Sequence, residues 1–296
     1  MIRFINNIII IMAWLMIKLP DAVTDTTMEI LYPDSLMSKW SLFLFDPSHP
    51  FGESWTEIVN GGVIKNIAHK SLSKILGTWD ETSLAGTSYL VWVTPSTAIV
   101  EKTSKKWINV IISKTNSLTN LNYKIDIPPA LKQYIFNNLN TKSFYFSYWG
   151  NVTRISDTNT SAFMLMSSTT SSSSNRLALM EVWSNSPAGN LWNRTSWNVV
   201  WKFMRSVGKL WFTWTAATTI SWLNAYYKIW PGGPYGWFEA WKSNSMILYR
   251  IYIEDLDVSG RTYAEVDAID KEMYDAAFWV GGKYENDTYT SVTTLP

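Results

Sequence analysis

From Met246 to Glu254 the chain reads M-I-L-Y-R-I-Y-I-E. Ile247, Tyr249, Ile251 and Ile253 fall on one face of an extended backbone, and Leu248, Arg250, Tyr252 and Glu254 on the other. A period of two fits a β-strand, and a strand with one wholly apolar face has to lie on a core. Ser259-Gly260 then turns the chain, and the period changes. Thr262-Tyr-Ala-Glu265 is a capping box: the threonine hydroxyl accepts from the Glu265 amide while the glutamate reaches back to the threonine N–H. Tyr263, Val266, Ile269, Met273, Tyr274 and Ala277 follow at helical spacing, with Asp267, Asp270, Lys271 and Glu272 mostly on the far, exposed side. Gly281-Gly282 closes this strand–turn–helix unit. Such a strand cannot stand alone, so the rest of the chain must supply a sheet.

It offers many strands. Trp40–Asp46 is closed by Pro47, and Tyr89–Val93 and Trp107–Ser113 are rich in β-branched and aromatic residues. Ser143–Trp149 alternates cleanly, with Phe144, Phe146 and Tyr148 on one face and Tyr145 and Trp149 on the other. Ser161–Ser167, Arg176–Trp183, Trp197–Met204 and Lys209–Thr215 complete the set, the last two divided at Gly208. Two short helices interrupt it: Asn66–Leu76, stopped by Gly77, and Ala130–Leu139, opened by Pro128-Pro129 and striped by Leu131, Tyr134, Ile135 and Leu139. Ser167–Asn175 reads as an exposed low-complexity loop. Short strands at this spacing predict an all-β sandwich or barrel, one domain over 28–296.

Residues 1–27 stand apart as an apolar N-terminal arm. Ile8–Ile17 is continuously apolar between Arg3 and Lys18. That run is about half of what spans a bilayer, so no stable membrane span is expected. It suits a signal-peptide core, an arm packed on a neighbouring subunit, or a buried strand or helix. Lys plus Arg is 25 against 24 for Asp plus Glu, which leaves no basic footprint for nucleic acid. The chain has no cysteine, which excludes disulfides and thiolate chemistry, and two histidines, His49 and His69, without a partner at catalytic spacing. No metal site and no cofactor are expected.

A closing strand of the form hydrophobic-Tyr-Arg-hydrophobic-Tyr-hydrophobic-Glu, followed by a short helix, is similar to the end of concanavalin A-like jelly rolls of the laminin-G type. The run Tyr249-Arg-Ile-Tyr-Ile-Glu-Asp-Leu-Asp-Val-Ser-Gly-Arg-Thr-Tyr-Ala-Glu265 resembles the C-terminal segment of tailed-bacteriophage virion proteins with that fold, as does Gly281–Thr290. The likeness is sharp over the last fifty or so residues and only architectural over 30–245. It implies an all-β, concanavalin A-like jelly-roll sandwich located in a virion, with other virion proteins, of capsid or tail, and further copies of itself as partners.

Of the 18 tryptophans, ten lie between Trp183 and Trp241. Trp230, Tyr235, Trp237 and Trp241 flank a Gly-Pro loop and form a candidate carbohydrate-binding platform, because sugars stack on flat rings. Core packing and subunit contact use the same residues. Glu254, Asp255 and Asp257 are the tightest acidic cluster, but they lack the ligand spacing of a calcium loop and read as a solvated strand end. A glycosidase needs two carboxylates facing across a cleft, and no Glu-x-Asp-x-x-Glu run occurs. The expectation is a non-enzymatic virion structural protein, a head decoration or attachment component. The alternatives are a lectin that recognises host surface glycans as a receptor-binding or tail-fibre protein, and a polysaccharide-degrading enzyme.

Overall fold

The computed structural model describes residues 32–52, 57–91, 93–116, 122–138, 141–154, 161–167, 176–182, 191–195, 203–210, 228–229 and 244–296. All but Tyr32 belong to one unit, Pro33–Pro296. The N-terminal arm 1–27 and the Ser/Thr-rich loop after Ser167 lie outside the described residues.

Among the described residues thirteen strands and four α-helices follow one another in this order: β1 Ser41–Phe45, β2 Val63–Ile64, α1 His69–Leu76, β3 Gly86–Val91, β4 Ala98–Lys102, β5 Ile108–Ile112, β6 Asn122–Asp126, α2 Pro129–Asn137, β7 Phe144–Arg154, β8 Ser161–Ser167, β9 Arg176–Val182, β10 Leu191–Thr195, β11 Phe203–Leu210, β12 Lys228–Ile229, β13 Ser245–Asp255, α3 Leu256–Ser259 and α4 Tyr263–Phe278. One sheet runs β11-β7-β13-β5-β4, with β1 also paired to β13; the other runs β10-β9-β8-β12-β6-β3-β2. Every pairing is antiparallel except β10 with β9. The fold is all-β with few helices. Among the described residues no helix is long and apolar enough to cross a membrane.

Local sequence explains most of the boundaries. Gly77 ends α1 because its φ of 69° is one that glycine adopts without a Cβ penalty. Pro129 starts α2, where a missing N–H costs nothing. Of the strands expected at Trp197–Met204 and Lys209–Thr215, residues 197–202 and 211–215 lie outside the described residues; the division expected at Gly208 is absent, because β11 runs straight through it. Each of its residues has a partner on β7, Gly208 opposite Phe146, and that ladder offsets the entropy glycine loses in a strand. Strands β2, β4, β6, β10 and β12 were not among those expected.

Strand β13 is the hub of the first sheet. Strand β7 pairs along almost its whole length, while its other edge is shared: β5 takes Met246–Leu248 and β1 takes Ile251–Glu254. At the changeover β13 bulges. Leu248 pairs with Gly150 and Arg250 with Trp149, which leaves Tyr249 as the extra residue. The expected faces are therefore cut in two. Met246, Leu248, Ile251 and Ile253 enter the main core, whereas Ile247 and Tyr249 join a second cluster. Gly150 lies against this bulge; a Cβ there would come within 2.8 Å of the Tyr148 ring and 3.2 Å of the Ile247 carbonyl.

The main core draws on both sheets. Phe43, Phe45, Val110, Phe144, Phe146, Tyr148 and the inward residues of β13 come from one; Ile64, Tyr123 and Ile125 come from the other; Leu72 of α1 and Leu131 and Ile135 of α2 join them. The alternation read over Ser143–Trp149 holds, with Trp149 in the second cluster. That cluster also holds Trp107, Ile247, Tyr249, Ala277 and Tyr284, and Met273, Tyr274, Phe278 and Tyr289 pack on it. Helix α4 and the C-terminal segment thus cover the outer face of the first sheet, so β13 is buried on both sides.

Candidate functional site

The carboxylates read as a wet strand end are not wet. Glu254 and Asp255 are fully buried, and only Asp257 of that cluster reaches the surface. Each buried acid has a cation from elsewhere in the chain. Glu254 accepts from Arg261 Nε at 2.9 Å and from Ser38 Oγ at 3.1 Å, and Tyr252 donates to it at 2.5 Å. Asp255 accepts from Lys142 Nζ at 2.9 Å and from the Tyr134 hydroxyl at 2.6 Å. Arg250, in the middle of β13, makes a two-pronged pair with Asp34 at 2.7 and 2.9 Å and also donates to Asp46 at 3.4 Å. Lys283 completes that group at 2.9 Å from Asp46. Burial pushes the Asp34 carboxyl up, but the Arg250 charge and hydrogen bonds outweigh it and hold the group below the ordinary carboxylate value.

Asp270 shows the same correction on α4. It was expected on the exposed face, yet it is completely buried and faces the sheet. Its Oδ2 accepts from Ser147 Oγ at 2.8 Å, Arg205 Nη1 at 2.9 Å and the Tyr145 hydroxyl at 3.1 Å. Positions 263, 266, 270, 273 and 277 form the helical stripe that meets the sheet, and an aspartate can occupy it because β11 delivers Arg205 beneath. These groups tie strands, helix and termini together. Most of their charged atoms pair with one another, although Arg250 Nε and Asp270 Oδ1 have no hydrogen-bond partner among the described residues.

Open surface features lie elsewhere. Beyond α4 is a groove of about 300 Å³. Tyr249 and Tyr284, both buried, underlie it; Phe203, Phe278, Trp279 and Tyr289 are its more accessible rings; Glu285 and Asp287 supply its charge. Helix α4 ends at Phe278, and Trp279 leaves in an extended conformation, so its indole is 75% exposed and the next residue, Val280, 83%. Phe203, at the start of β11, is 44% exposed and packs 4.2 Å from the Phe278 ring. Asn286 has a φ of 60°, a left-handed turn that asparagine tolerates. Beyond that turn, Asp287 Oδ1 accepts from Ser104 Oγ at 3.0 Å and the Lys105 amide at 2.9 Å. Asp287 Oδ2 is shielded from water and has no hydrogen-bond partner among the described residues.

A second cleft, of about 430 Å³, lies beside β2 and the start of α1 and has Glu57, Glu81, Lys65 and Asn66 in its wall. Asn66 is a structural pin: its side chain bonds the backbone of Leu42, Leu44, Ala68 and Leu84. Glu57 and Glu81 are both exposed, whereas acid–base work on a sugar needs one carboxyl shielded from water. Each histidine contacts a backbone carbonyl, and His69 Nδ1 also lies 3.9 Å from Glu81 Oε1. His49 accepts the Phe51 amide on Nδ1 and donates from Nε2 to the Pro33 carbonyl at 2.9 Å, and His69 Nδ1 contacts the Asn66 carbonyl at 3.0 Å. Among the described residues no group of three or more His, Asp or Glu side chains is placed to hold a metal ion.

Trp230, Tyr235, Trp237 and Trp241 lie outside the described residues. The aromatic groove was not foreseen. Its signal was present in Phe278-Trp-Val280, an apolar run that continues past the last buried helical position, Ala277. No family model, no curated protein and no solved structure matches the chain.

Proposed function

We propose that the chain is a non-enzymatic structural protein of a tailed-phage virion, a head decoration or attachment component built on a concanavalin A-like jelly roll. The observation that carries this reading is the outcrop of Phe203, Trp279 and Val280. It is a bare apolar surface on a scaffold whose buried charges are otherwise paired. Side chains of this kind lose about 1.5–3 kcal/mol each by staying in water, so a surface that keeps them there is suited to a neighbour. The virion assignment rests on the resemblance of Tyr249–Glu265 and Gly281–Thr290 to virion proteins. The same two stretches supply β13, the capping box and the Lys283–Tyr284 contacts, which are framework parts.

Particles purified from cells that make the chain test the proposal by mass spectrometry and cryo-electron microscopy. The expected result is a many-copy component with the Trp279 surface buried against a neighbouring subunit. Absence of the chain from particles would sink the idea, as would specific hydrolysis of a polysaccharide by the purified protein. Binding to host surface glycans that disappears in Trp230→Ala or Trp237→Ala would move the function to receptor recognition.

A further inference from the structure

We propose that the free edge of β4 pairs with β4 of a second copy of this chain, antiparallel about a two-fold axis at Val100. The first sheet ends at β4. Its pairing with β5 shows which backbone groups are left over. Ser113 donates its amide to the Thr97 carbonyl at 2.9 Å, and Thr103 donates its amide to the Trp107 carbonyl at 2.8 Å. In an antiparallel ladder, opposed residues that bond in this way alternate with residues that do not, so positions 97, 99, 101 and 103 turn their peptide groups to β5. Those of 98, 100 and 102 turn away from it. Ala98 spends its outward amide on the Thr94 carbonyl at 3.0 Å. Val100 is half-buried, and neither its N–H nor its C=O has a hydrogen-bond partner among the described residues.

Three observations favour a second copy as the occupant. The edge is unprotected: β4 has no proline and its pairing has no bulge, two devices that keep strand edges apart. By contrast β1, in the same sheet, is sealed within the chain. Asn66 bonds the Leu44 amide and the Leu42 carbonyl at 3.0 Å each, and the Ile67 amide bonds the Leu44 carbonyl at 2.9 Å. The second observation is self-complementarity. Val100 offers one donor and one acceptor, and across a two-fold axis each copy's N–H meets the other's C=O with none left over. The third is charge. That register sets Ile99 opposite Glu101 of the other copy and Ala98 opposite Lys102, so like charges never face each other. The Glu101 carboxylate is already engaged at home, by Asn109 Nδ2 and the Thr290 amide at 2.8 Å each. A strand of 5 residues buries less than the roughly 1,200 Å² of a stable interface, so the pairing is weak in dilute solution and favoured where copies are held side by side. It is separate from the Trp279 outcrop and does not depend on it.

Sedimentation velocity and amide hydrogen exchange on the intact chain, each over a dilution series, test this. The expected result is a monomer–dimer equilibrium in which exchange at the Val100 amide slows as the dimer fills. Val100→Pro removes the donor and spares the fold's own ladder, because that N–H points away from β5. It should weaken dimerisation at least about tenfold, the loss of two interchain hydrogen bonds. Near-ultraviolet dichroism equal to that of the wild type verifies its fold; if the variant misfolds, the concentration dependence of Val100 exchange in the wild type decides alone. Trp79→Ala, which removes an indole 74% exposed elsewhere on the surface, should leave the equilibrium unchanged. A chain that stays monomeric, with Val100 exchanging at one rate throughout, overturns the proposal. So does a dimer that survives in well-folded Val100→Pro, or one lost in Trp279→Ala instead, which would move self-association to the outcrop. In the particle, a strand of a different protein seated on β4 would also overturn it and leave the virion assignment standing.

Discussion

Arg250 concentrates the chemistry that holds the first sheet to the N-terminal segment. It is fully buried, paired with Asp34 and Asp46, and stacked 5.0 Å above the Trp149 ring. Replacing Asp34 by Asn leaves a buried guanidinium short of a charge, and Asp46 must then be shared between Arg250 and Lys283. The expected loss is about 3 kcal/mol, at the lower end for a broken buried pair because Asp46 remains, and urea unfolding at neutral pH measures it. The same pair fixes a pH dependence. The Asp34 carboxyl is depressed in the folded chain, so its contribution is complete above the unfolded value of about 4 and is lost as pH falls through the lower folded value. Unfolding midpoints of the wild type and Asp34→Asn, taken between pH 7 and pH 2, should therefore converge below about pH 4; a gap that persists at pH 2 would mean the pair is not what the substitution removed. None of this pairing was legible in the sequence. Asp34 lies 216 positions from Arg250, and Arg205 lies 65 from Asp270. Period and polarity identify a charged side chain, but only the assembled sheet decides whether it meets a partner or water. That is why Glu254, Asp255 and Asp270 read as solvated and fold as buried.

Elements were easier to read than their registers. The strand at β13, the capping box and the helix after it follow from local rules, and all three are present. The bulge at Tyr249 was invisible for a physical reason. Both faces of β13 are covered, so large side chains occur on both, and a one-residue slip leaves no gap in the alternation. The break expected at Gly208 was wrong for the opposite reason, because a glycine that weakens an isolated strand is held by a paired neighbour. Two substitutions probe this scale. Thr262→Ala removes the side-chain half of the capping box, in which Thr262 Oγ1 accepts the Glu265 amide at 3.2 Å. It should cost about 1 kcal/mol in chemical denaturation, and Thr262→Ser should restore most of it. Gly150→Ala places a methyl group against the Tyr148 ring and the Ile247 carbonyl at the bulge. Overpacking of this kind should cost about 1–3 kcal/mol and shift the aromatic near-ultraviolet circular dichroism, since Tyr148 has to move.

At the scale of the whole molecule, the C-terminal segment and the outcrop beside it play opposite parts. Tyr284 packs edge-on to Trp107 at 4.4 Å, and Val292 and Leu295 cover Ile111. Arg154 donates to the Val292 and Leu295 carbonyls at 2.9 Å each, and Ser113 Oγ donates to the Pro296 carbonyl at 2.8 Å. Lys283 is the second cation of the Asp46 group. Removing 281–296 therefore uncovers Trp107 and Ile111, strips Arg154 of two acceptors and leaves Asp46 with Arg250 alone. The lost burial of Tyr284, Val292 and Leu295 amounts to roughly 5–9 kcal/mol by transfer values. That is of the same order as the whole stability of a domain, about 5–15 kcal/mol. The truncated chain should lose its cooperative unfolding transition and its near-ultraviolet dichroism. Trp279→Ala sits only two residues before this segment but truncates a side chain that is 75% exposed, so stability should stay within about 0.5 kcal/mol of the wild type. If the residue is a contact and not a support, that variant should fold and melt normally yet fail to take its place among neighbouring subunits. A Trp279→Ala chain that is markedly destabilised would instead place the indole in the framework and undercut the contact surface on which the proposed function stands.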